Sequence, residues 1–261
     1  MNIAQLKKMK QAKQKITMVT CYDYCFAQLL KDTSIDCILV GDSAAMTMHG
    51  HDNTVPADMD MMVTHIRSVA KAQPAQLIVG DMPFLSYRID LATTMRHALS
   101  FMQAGAQAIK IEGVDGHEEA IAYLVQSGVP VMGHLGLTPQ AIHQLSGFKV
   151  QGREPSQAAH ILAQARKLEE LGCFAIVLEC IPAALAQEIT AQRGIPTIGI
   201  GAGSGTDGQV LVLHDLLGLQ TQFKPKFLKQ YLNGAQLVQQ ALNDFDREVK
   251  QGEFPTPEYE Y

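Results

Sequence analysis

Short apolar runs alternate with longer stretches of mixed polarity along most of the chain. Most of these runs are apolar at every position, which is typical of parallel strands covered on both faces. An eighth and weaker run could equally open a helix. The predicted strands are Ile16–Tyr22, Asp36–Gly41, Gln76–Gly80, Ala106–Ile111, Val129–Gly133, Phe174–Leu178, Pro196–Ile200 and the weaker Gln209–Leu213.

Helices are predicted between these strands, and several carry recognisable ends. Asp90 is a suitable N-cap, and Gly105 stands just past the end of the same helix. Ser156 is predicted to cap another helix, and Pro182 to open a third near its first turn. The predicted helices are Ile3–Gln14, Asp58–Ala72, Asp90–Gln103, His117–Gln126, Ser156–Leu171, Pro182–Gln192 and Lys229–Lys250.

The alternation of strands and helices predicts a parallel α/β fold. Seven or eight strand–helix units in 261 residues match the usual size of a (β/α)₈ barrel, here preceded by a short N-terminal helix. An open, doubly wound sheet is the alternative. No linker or low-complexity tract interrupts the pattern, so we expect one domain over residues 1–261.

Composition narrows the class of protein. Apolar residues make up 47% and charged residues 18%, with a formal net charge of −5, which excludes disorder as the main state and argues against a nucleic-acid partner. No apolar run of about 18 residues predicts a membrane span. No secretory signal is recognisable, and the five cysteines form no C-x-x-C pair. We therefore expect a cytoplasmic protein without a disulfide framework.

Acidic residues follow four different predicted strands: Asp42, Asp81, Glu112 and Glu179. The carboxyl ends of barrel strands converge on one mouth, where the active sites of such barrels lie. Carboxylates brought together need a compensating cation or a shared proton. Oxygen ligands favour Mg²⁺, with Mn²⁺ as the alternative, and no His or Cys spacing supports Zn²⁺.

Two further side chains are candidates for the same mouth. Lys110 lies two residues before Glu112, so both should face the barrel interior. It could bind a substrate carboxylate or form a structural ion pair. His134 follows a strand and could act as hydrogen-bond donor or acid–base group, or simply be packed. Gly199–Gly208 contains a weak G-x-G-x-x-G match, which we interpret as the loop after the seventh strand, either lining an anion site or forming a plain turn.

Collinear motifs over most of the chain resemble one known family. They are VGDSAAMTMHGHDNTVP (40–56), VGDMPFLSY (79–87), IKIEG (109–113), VMGHLGLTPQ (131–140), FKVQGR (148–153), LECIP (178–182) and GIGAG with DGQVLVLHD (199–215). Together they are similar to ketopantoate hydroxymethyltransferases. The resemblance implies a (β/α)₈ TIM barrel of the phosphoenolpyruvate/pyruvate type. It further implies Mg²⁺, a ring-like homo-oligomer, commonly a decamer, and small-molecule substrates.

The implied reaction is transfer of a hydroxymethyl group from 5,10-methylenetetrahydrofolate to 3-methyl-2-oxobutanoate (α-ketoisovalerate), giving ketopantoate for pantothenate synthesis. The resemblance gives Asp42 and Asp81 the roles of Mg²⁺ ligands that also contact substrate, with Glu112 as the third metal-site acid. Ser43 and Lys110 correspond to contacts with the substrate carboxylate.

The same resemblance makes Glu179 the proton acceptor and places His134 near the transferred carbon. The chemistry agrees, because an enolate can form only if a base that is not bound to the metal removes the C3 proton. The chain departs from the family pattern at Ala45 and Leu85, where members have Gly, and at His51, where many have Tyr.

Two other functions compete with this hypothesis. A metal-dependent C–C lyase of the related phosphoenolpyruvate/pyruvate barrel group would share the metal acids and the enolate, but it would carry a catalytic Cys in a loop such as K-K-C-G-H, which this sequence lacks. A non-catalytic protein built on a decayed barrel should have lost one of five residues that are all present: Asp42, Asp81, Lys110, Glu112 and Glu179.

Overall fold

The computed structural model describes residues 1–145, 147, 149–221 and 224–261. Eight parallel strands form a closed barrel in chain order, and the last strand pairs with the first. This confirms the predicted barrel and excludes the open sheet. The strands are β1 Ile16–Thr20, β2 Cys37–Val40, β3 Leu77–Asp81, β4 Ala108–Glu112, β5 Val131–Gly136, β6 Ala175–Glu179, β7 Thr197–Ile200 and β8 Gly208–Leu211.

Helices occupy most of the connections between the strands. They are α1 Ile3–Gln11, α2 Tyr24–Lys31, α3 Ala44–Thr47, α4 Met59–Lys71, α5 Leu91–Ala104, α6 Glu118–Gln126, α7 Ile142–Leu145, α8 Pro155–Glu170, α9 Ala183–Gln192, α10 Leu213–Leu216 and α11 Gly234–Gln251, with 3₁₀ turns at Pro139–Ala141 and Pro257–Tyr259. The caps of α5 are as predicted: Asp90 accepts a hydrogen bond from the Thr93 N–H, and Gly105 takes a left-handed conformation.

Several details of the prediction are wrong. The helix α2 was not predicted, although Asp23 accepts the Phe26 N–H at its start, as an N-cap should. The cap of α8 is Glu154 rather than Ser156, because Pro155 takes the first helical position. Pro182 is likewise the N-cap residue of α9 and precedes its first turn.

The strict alternation also fails once, because β7 and β8 are joined by the loop 201–207 without a helix. Among the terminal helices, α1 ends at Gln11, and the long closing helix begins at Gly234 rather than Lys229. The core of the structure is unaffected by these differences, since all eight strands are present at the predicted places.

The barrel interior alternates with period two, and this places the candidate residues. Apolar side chains form one cluster inside the lower part of the barrel, joined by Leu6 and Met9 of α1. The strand members of this cluster include Val79, Ala108, Met132 and Val177. Two residues further along each of these strands the chain reaches Asp81, Lys110, His134 and Glu179. A dry apolar layer therefore supports a polar layer at the carboxyl ends of the strands.

The chain divides into two compact units, Met1–Val212 and Leu213–Tyr261. The first contains the complete barrel. In the second, α11 carries exposed apolar side chains, and the Phe254 ring lies 5.8 Å from the rings of both Phe245 and Tyr259. None of the described helices is both long enough and apolar enough to cross a membrane. The expectation of one domain over 1–261 stays a prediction.

Candidate active site

The polar layer at the mouth is built from neighbouring strands in register. Asp81 at the end of β3 lies beside Lys110 of β4, and Glu112 at the end of β4 lies beside His134 of β5. Lys110 Nζ is 2.6 Å from Asp81 Oδ1 and 3.7 Å from Glu112 Oε1. These four side chains are almost fully buried. Lys110 and Glu112 thus share the interior face, as the period-two argument predicts.

His134 connects two of the acids. Its Nδ1 lies 3.3 Å from Glu112 Oε1, and its Nε2 lies 3.2 Å from Glu179 Oε2. Burial and the nearby Lys110 charge lower the pKa of His134, but its contacts with Glu112 and Glu179 outweigh them and raise it to about 9. His134 lies within β5, not after it as predicted, because this strand extends to Gly136.

Asp42 follows β2 and completes the cluster. Its backbone N–H donates to Asp81 Oδ2 at 3.2 Å. Burial, together with the charges of Asp81 and Glu112, raises the pKa of Asp42 well above its ordinary value. Burial also raises the pKa of Asp81, although Lys110 opposes this shift. The protein therefore resists carrying all of these negative charges at once.

For Lys110 and Glu112, contacts with groups of opposite charge outweigh burial and favour the charged form. Burial lowers the pKa of Lys110, but the carboxylates of Asp81, Glu112 and Asp42 outweigh it and hold the value above the ordinary one. Burial raises the pKa of Glu112, but Lys110 and His134 outweigh it and keep the value below normal. When all groups are ionised, the four carboxylates Asp42, Asp81, Glu112 and Glu179 face only two cations, Lys110 and His134.

The donor set suits a divalent metal such as Mg²⁺, since it offers buried carboxylate oxygens and an excess of negative charge. In the arrangement described, however, no three His, Cys, Asp or Glu side chains of the described residues are grouped so as to hold a metal ion. Lys110 instead lies against Asp81. Metal binding would therefore require local side-chain rearrangement, with the Lys110 ammonium moving away from Asp81.

Gln140 is part of this cluster and was missed by the sequence analysis. It is 4% exposed, its Nε2 lies 3.0 Å from Asp42 Oδ2, and its backbone N–H donates to Glu112 Oε2 at 3.0 Å. The Tyr87 hydroxyl lies 2.9 Å from Gln140 Oε1. The only available signal was that Gln140 ends the motif VMGHLGLTPQ, since a lone amide in a loop carries no spacing pattern.

Ser43 begins the short helix α3 beside Asp42, and its Oγ lies 2.8 Å from the hydroxyl of Tyr22. Ala45 lies inside this helix, so a side chain in place of the family's glycine meets no backbone conflict there. Leu85, in contrast, has φ 60° and is 47% exposed. This left-handed conformation is one that glycine adopts readily, so a glycine at this position would meet no backbone strain.

The glycine-rich stretch forms the loop between β7 and β8, as predicted. A dinucleotide site would require a helix directly after the G-x-G-x-x-G match. Here Gly208, the last glycine of the match, begins the strand β8 instead. The Gln209 side chain donates to the carbonyl oxygen of Gly203 at 2.9 Å and closes the loop internally. Whether the loop lines an anion site stays a prediction.

Comparison with known proteins agrees with the motifs. A family model described as ketopantoate hydroxymethyltransferase matches residues 1–257. A 3-methyl-2-oxobutanoate hydroxymethyltransferase of Coxiella burnetii (strain RSA 493 / Nine Mile phase I) is 56% identical over 256 residues, covering 98% of this chain and 96% of that protein. One of Francisella tularensis subsp. tularensis (strain WY96-3418) is 51% identical over 260 residues, covering 100% and 98%.

Solved structures at low identity support the fold. A 2,3-dimethylmalate lyase of the PEP mutase/isocitrate lyase superfamily has a TM-score of 0.64 at 14% identity, covering 98% of this chain and 92% of that one. A phosphoenolpyruvate phosphomutase from Streptomyces platensis subsp. rosaceus has a TM-score of 0.65 at 14% identity, covering 97% and 88%. The expected (β/α)₈ barrel fold is thereby confirmed.

The full-length relatives also decide between the competing functions, since they carry the name of a transferase rather than a lyase. The activity is hydroxymethyl transfer to 3-methyl-2-oxobutanoate, which makes ketopantoate for pantothenate synthesis. With its closed barrel, its acidic mouth and relatives matched from end to end, the chain belongs to the ketopantoate hydroxymethyltransferase family.

Proposed function

We propose that the mouth residues carry out this transfer with a bound Mg²⁺, or Mn²⁺ as the alternative, held by Asp42, Asp81 and Glu112. The observation that carries the proposal is the convergence of four acidic side chains on Lys110 and His134, which leaves an excess of negative charge when all of them are ionised. A divalent cation supplies the missing charge. When bound, it provides a Lewis acid that polarises the ketone of the 2-oxo acid and stabilises negative charge on its oxygen.

Lys110 and Ser43 bind the substrate carboxylate in this proposal. The Lys110 ammonium is buried and pairs with Asp81, and a substrate carboxylate arriving at the mouth offers it a second anionic partner. Asp81 is then free to serve the metal. Ser43 Oγ is held by Tyr22 at 2.8 Å, beside Asp42, so its hydroxyl is oriented before substrate arrives. Lys110 thus pairs with Asp81 before substrate binds and with the substrate carboxylate afterwards.

Glu179 removes the C3 proton of the substrate. It differs from the other acids because its side chain is 16% exposed, whereas those of Asp81 and Glu112 are 2% and 3% exposed. It ends β6 on the far side of His134, away from the proposed metal ligands. His134 Nε2 lies 3.2 Å from the Glu179 carboxylate. The resulting carbanion forms a C–C bond to the methylene carbon of 5,10-methylenetetrahydrofolate, which we propose as the cosubstrate. Over the whole reaction both C–N bonds of that methylene carbon break, one water molecule supplies the hydroxyl oxygen, and tetrahydrofolate leaves.

We further propose that the chain acts as one catalytic domain over 1–261 in a cytoplasmic homo-oligomer, a decamer by family resemblance. Nucleic acid and membranes are not among its proposed partners. The match of the family model to residues 1–257 supports the single catalytic domain. Size-exclusion chromatography with light scattering measures the assembly directly.

A coupled assay tests the proposed chemistry. Purified enzyme is stripped of metal with EDTA and given α-ketoisovalerate and 5,10-methylenetetrahydrofolate, and ketopantoate is measured by mass spectrometry. We expect product only when both substrates and Mg²⁺ or Mn²⁺ are present. Undiminished product formation by the stripped enzyme would overturn the metal proposal, and product formation without the folate would overturn the proposed donor.

A further inference from the structure

Gln140 is a neutral residue that contacts two of the acids at the strand ends, one through its side chain and one through its backbone. It comes from the 3₁₀ turn Pro139–Ala141, which follows β5. Its Nε2 donates to Asp42 Oδ2 at 3.0 Å and to the carbonyl oxygen of Met82 at 2.9 Å. Its backbone N–H donates to Glu112 Oε2 at 3.0 Å. One residue thus contacts the chain after β2, the chain after β3 and the end of β4.

The orientation of this amide is fixed by a second buried side chain. The Tyr87 hydroxyl lies 2.9 Å from Gln140 Oε1 and 3.2 Å from the carbonyl oxygen of Glu112. The shorter contact places the hydroxyl hydrogen on Oε1, and the NH₂ end of the amide then lies towards Asp42 and Met82, where both of its hydrogens have acceptors. Tyr87 is 3% exposed, so water does not compete freely for these contacts. An amide flip would break three contacts at once.

We infer that Gln140 is a positioning residue for the metal site, with Tyr87 as the residue that fixes its amide. This inference rests on the proposed metal ligands Asp42 and Glu112. An amide donor on Asp42 Oδ2 holds that carboxylate without adding a positive charge that would oppose a cation. The backbone N–H does the same for Glu112. Groups that orient ligand carboxylates in this way commonly change metal affinity about 10–100-fold when removed.

A neutral positioning group can also keep the carboxylates in place while Lys110 changes its partner. Lys110 pairs with Asp81 and moves away from it in the proposed reaction. As the lysine moves, part of the positive charge that offsets the neighbouring carboxylates moves with it. Gln140 ties both to one short turn, so the two carboxylates keep their places while the lysine changes partner.

Gln140→Met tests the side-chain arm of this inference. Methionine has a similar length and no donor, and every non-proline substitution keeps the backbone N–H to Glu112. Gln76→Met is the matched control, because Gln76 is an equally buried amide that donates to the carbonyl oxygen of Leu30 at 2.8 Å, at the opposite end of β3. Tyr87→Phe keeps the buried ring but releases the amide, and serves if Gln140→Met folds poorly.

Mn²⁺ is the probe, and the electron paramagnetic resonance signal of free Mn²⁺ measures its binding to the full chain without substrate. We expect Gln140→Met to weaken Mn²⁺ binding about 10–100-fold and Tyr87→Phe to weaken it less, in the same direction. Gln76→Met should bind as the wild type does, even where its melting temperature falls equally. In activity assays, saturating Mg²⁺ should restore most of the kcat of Gln140→Met, which a general folding fault would not allow.

The outcomes separate this inference from the proposal on which it rests. If wild type binds Mn²⁺ and Gln140→Met and Tyr87→Phe bind it equally well, the role of Gln140 is overturned and the metal site stands. If Gln76→Met loses as much affinity as Gln140→Met, the effect is one of stability, and the role is likewise overturned. If wild type binds no Mn²⁺, the metal site falls, and the role of Gln140 falls with it.

Discussion

The two ends of the barrel treat their acidic residues in opposite ways. At the amino-terminal end, Asp207 Oδ2 accepts the Thr197 N–H at 2.9 Å and pairs with Lys10 Nζ at 2.7 Å. Asp36 Oδ2 similarly accepts the N–H of Thr17 at 2.9 Å and its hydroxyl at 3.0 Å. Each of these carboxylates is satisfied by the strand next to it, and the result ties neighbouring strands together.

At the carboxyl end, the acids are instead brought against one another. Asp81 accepts the Asp42 N–H, Glu112 shares Lys110 with Asp81, and the pKa of Asp42 is raised because burial and its acidic neighbours disfavour its charge. An aspartate that finds its donors locally stabilises the fold. Carboxylates that converge with too few cations hold a site whose charge is completed by a ligand.

Asp81→Asn and Asp207→Asn should show the largest difference between the two ends of the barrel. We expect Asp81→Asn to lower kcat/KM by about 10²–10³-fold and to raise the Mg²⁺ requirement, because a metal ion commonly supplies several kcal/mol of charge stabilisation. Asp207→Asn should instead lower the melting temperature and keep the Mg²⁺ requirement. Activity titrated against Mg²⁺, with thermal unfolding followed by circular dichroism, measures both. An unchanged Mg²⁺ requirement in Asp81→Asn would remove it from the metal site.

His117 follows β4, and its pKa is shifted in the opposite direction to that of His134. We therefore expect His117 to make the unfolding free energy depend on pH. Burial and the nearby Arg88 charge lower the pKa of His117 from 6.5 to about 4. Because the unfolded state takes up this proton first, the stabilising contribution of neutral His117 is present above pH 6.5 and is lost as pH falls towards 4. The shift corresponds to about 3 kcal/mol.

Urea unfolding of wild type and His117→Phe between pH 7 and pH 4 tests this effect. The phenyl ring keeps the packing against Tyr87, whose ring centroid lies 5.2 Å from that of His117, but it cannot take up a proton. The unfolding free energy of wild type relative to the variant should fall as the pH is lowered. Parallel curves would mean that His117 is not held neutral.

The buried Lys110 and the partly buried Lys10 provide the smallest and most selective contrast. Lys110→Ala should raise the KM for α-ketoisovalerate about 10–100-fold, through loss of a charged hydrogen bond of roughly 1.5–3 kcal/mol. Lys10→Ala should destabilise the barrel with KM unchanged, since Lys10 pairs with Asp207 at the other end. Steady-state kinetics and thermal unfolding of both variants give the comparison. If Lys110→Ala unfolds readily but binds substrate normally, Lys110 is only an ion-pair residue.

The acidic mouth could be predicted from the sequence because each of its acids is recognisable from its immediate neighbours in the chain. Asp42, Asp81, Glu112 and Glu179 each end or follow an apolar run, and closing the barrel brings those ends together. Gln140 could not be found in this way, since its contact with Asp42 joins residues 98 positions apart through an irregular turn. No periodicity encodes such a contact.

Short elements were the other weak point of prediction. The eight residues of α2 give too short a window for helical periodicity, and the loop between β7 and β8 breaks an alternation that the other units obey. Ser156 was wrongly predicted as the N-cap of α8. Pro155 takes the first helical position, which its fixed φ favours, so Glu154 is the cap. None of these errors moves the acids of the mouth, because each of those acids ends or directly follows a strand that was predicted.

Hydrogen exchange at C3 of α-ketoisovalerate tests the central claim most directly, because it needs substrate, metal and base but no folate. Proton NMR in D₂O should show exchange by the wild type with Mg²⁺ and its loss on adding EDTA. Glu179→Gln should bind Mg²⁺ and the oxo acid yet exchange about 10²–10⁴-fold more slowly, the usual contribution of a general base. Exchange at the wild-type rate in Glu179→Gln, or exchange that ignores EDTA, would contradict the account.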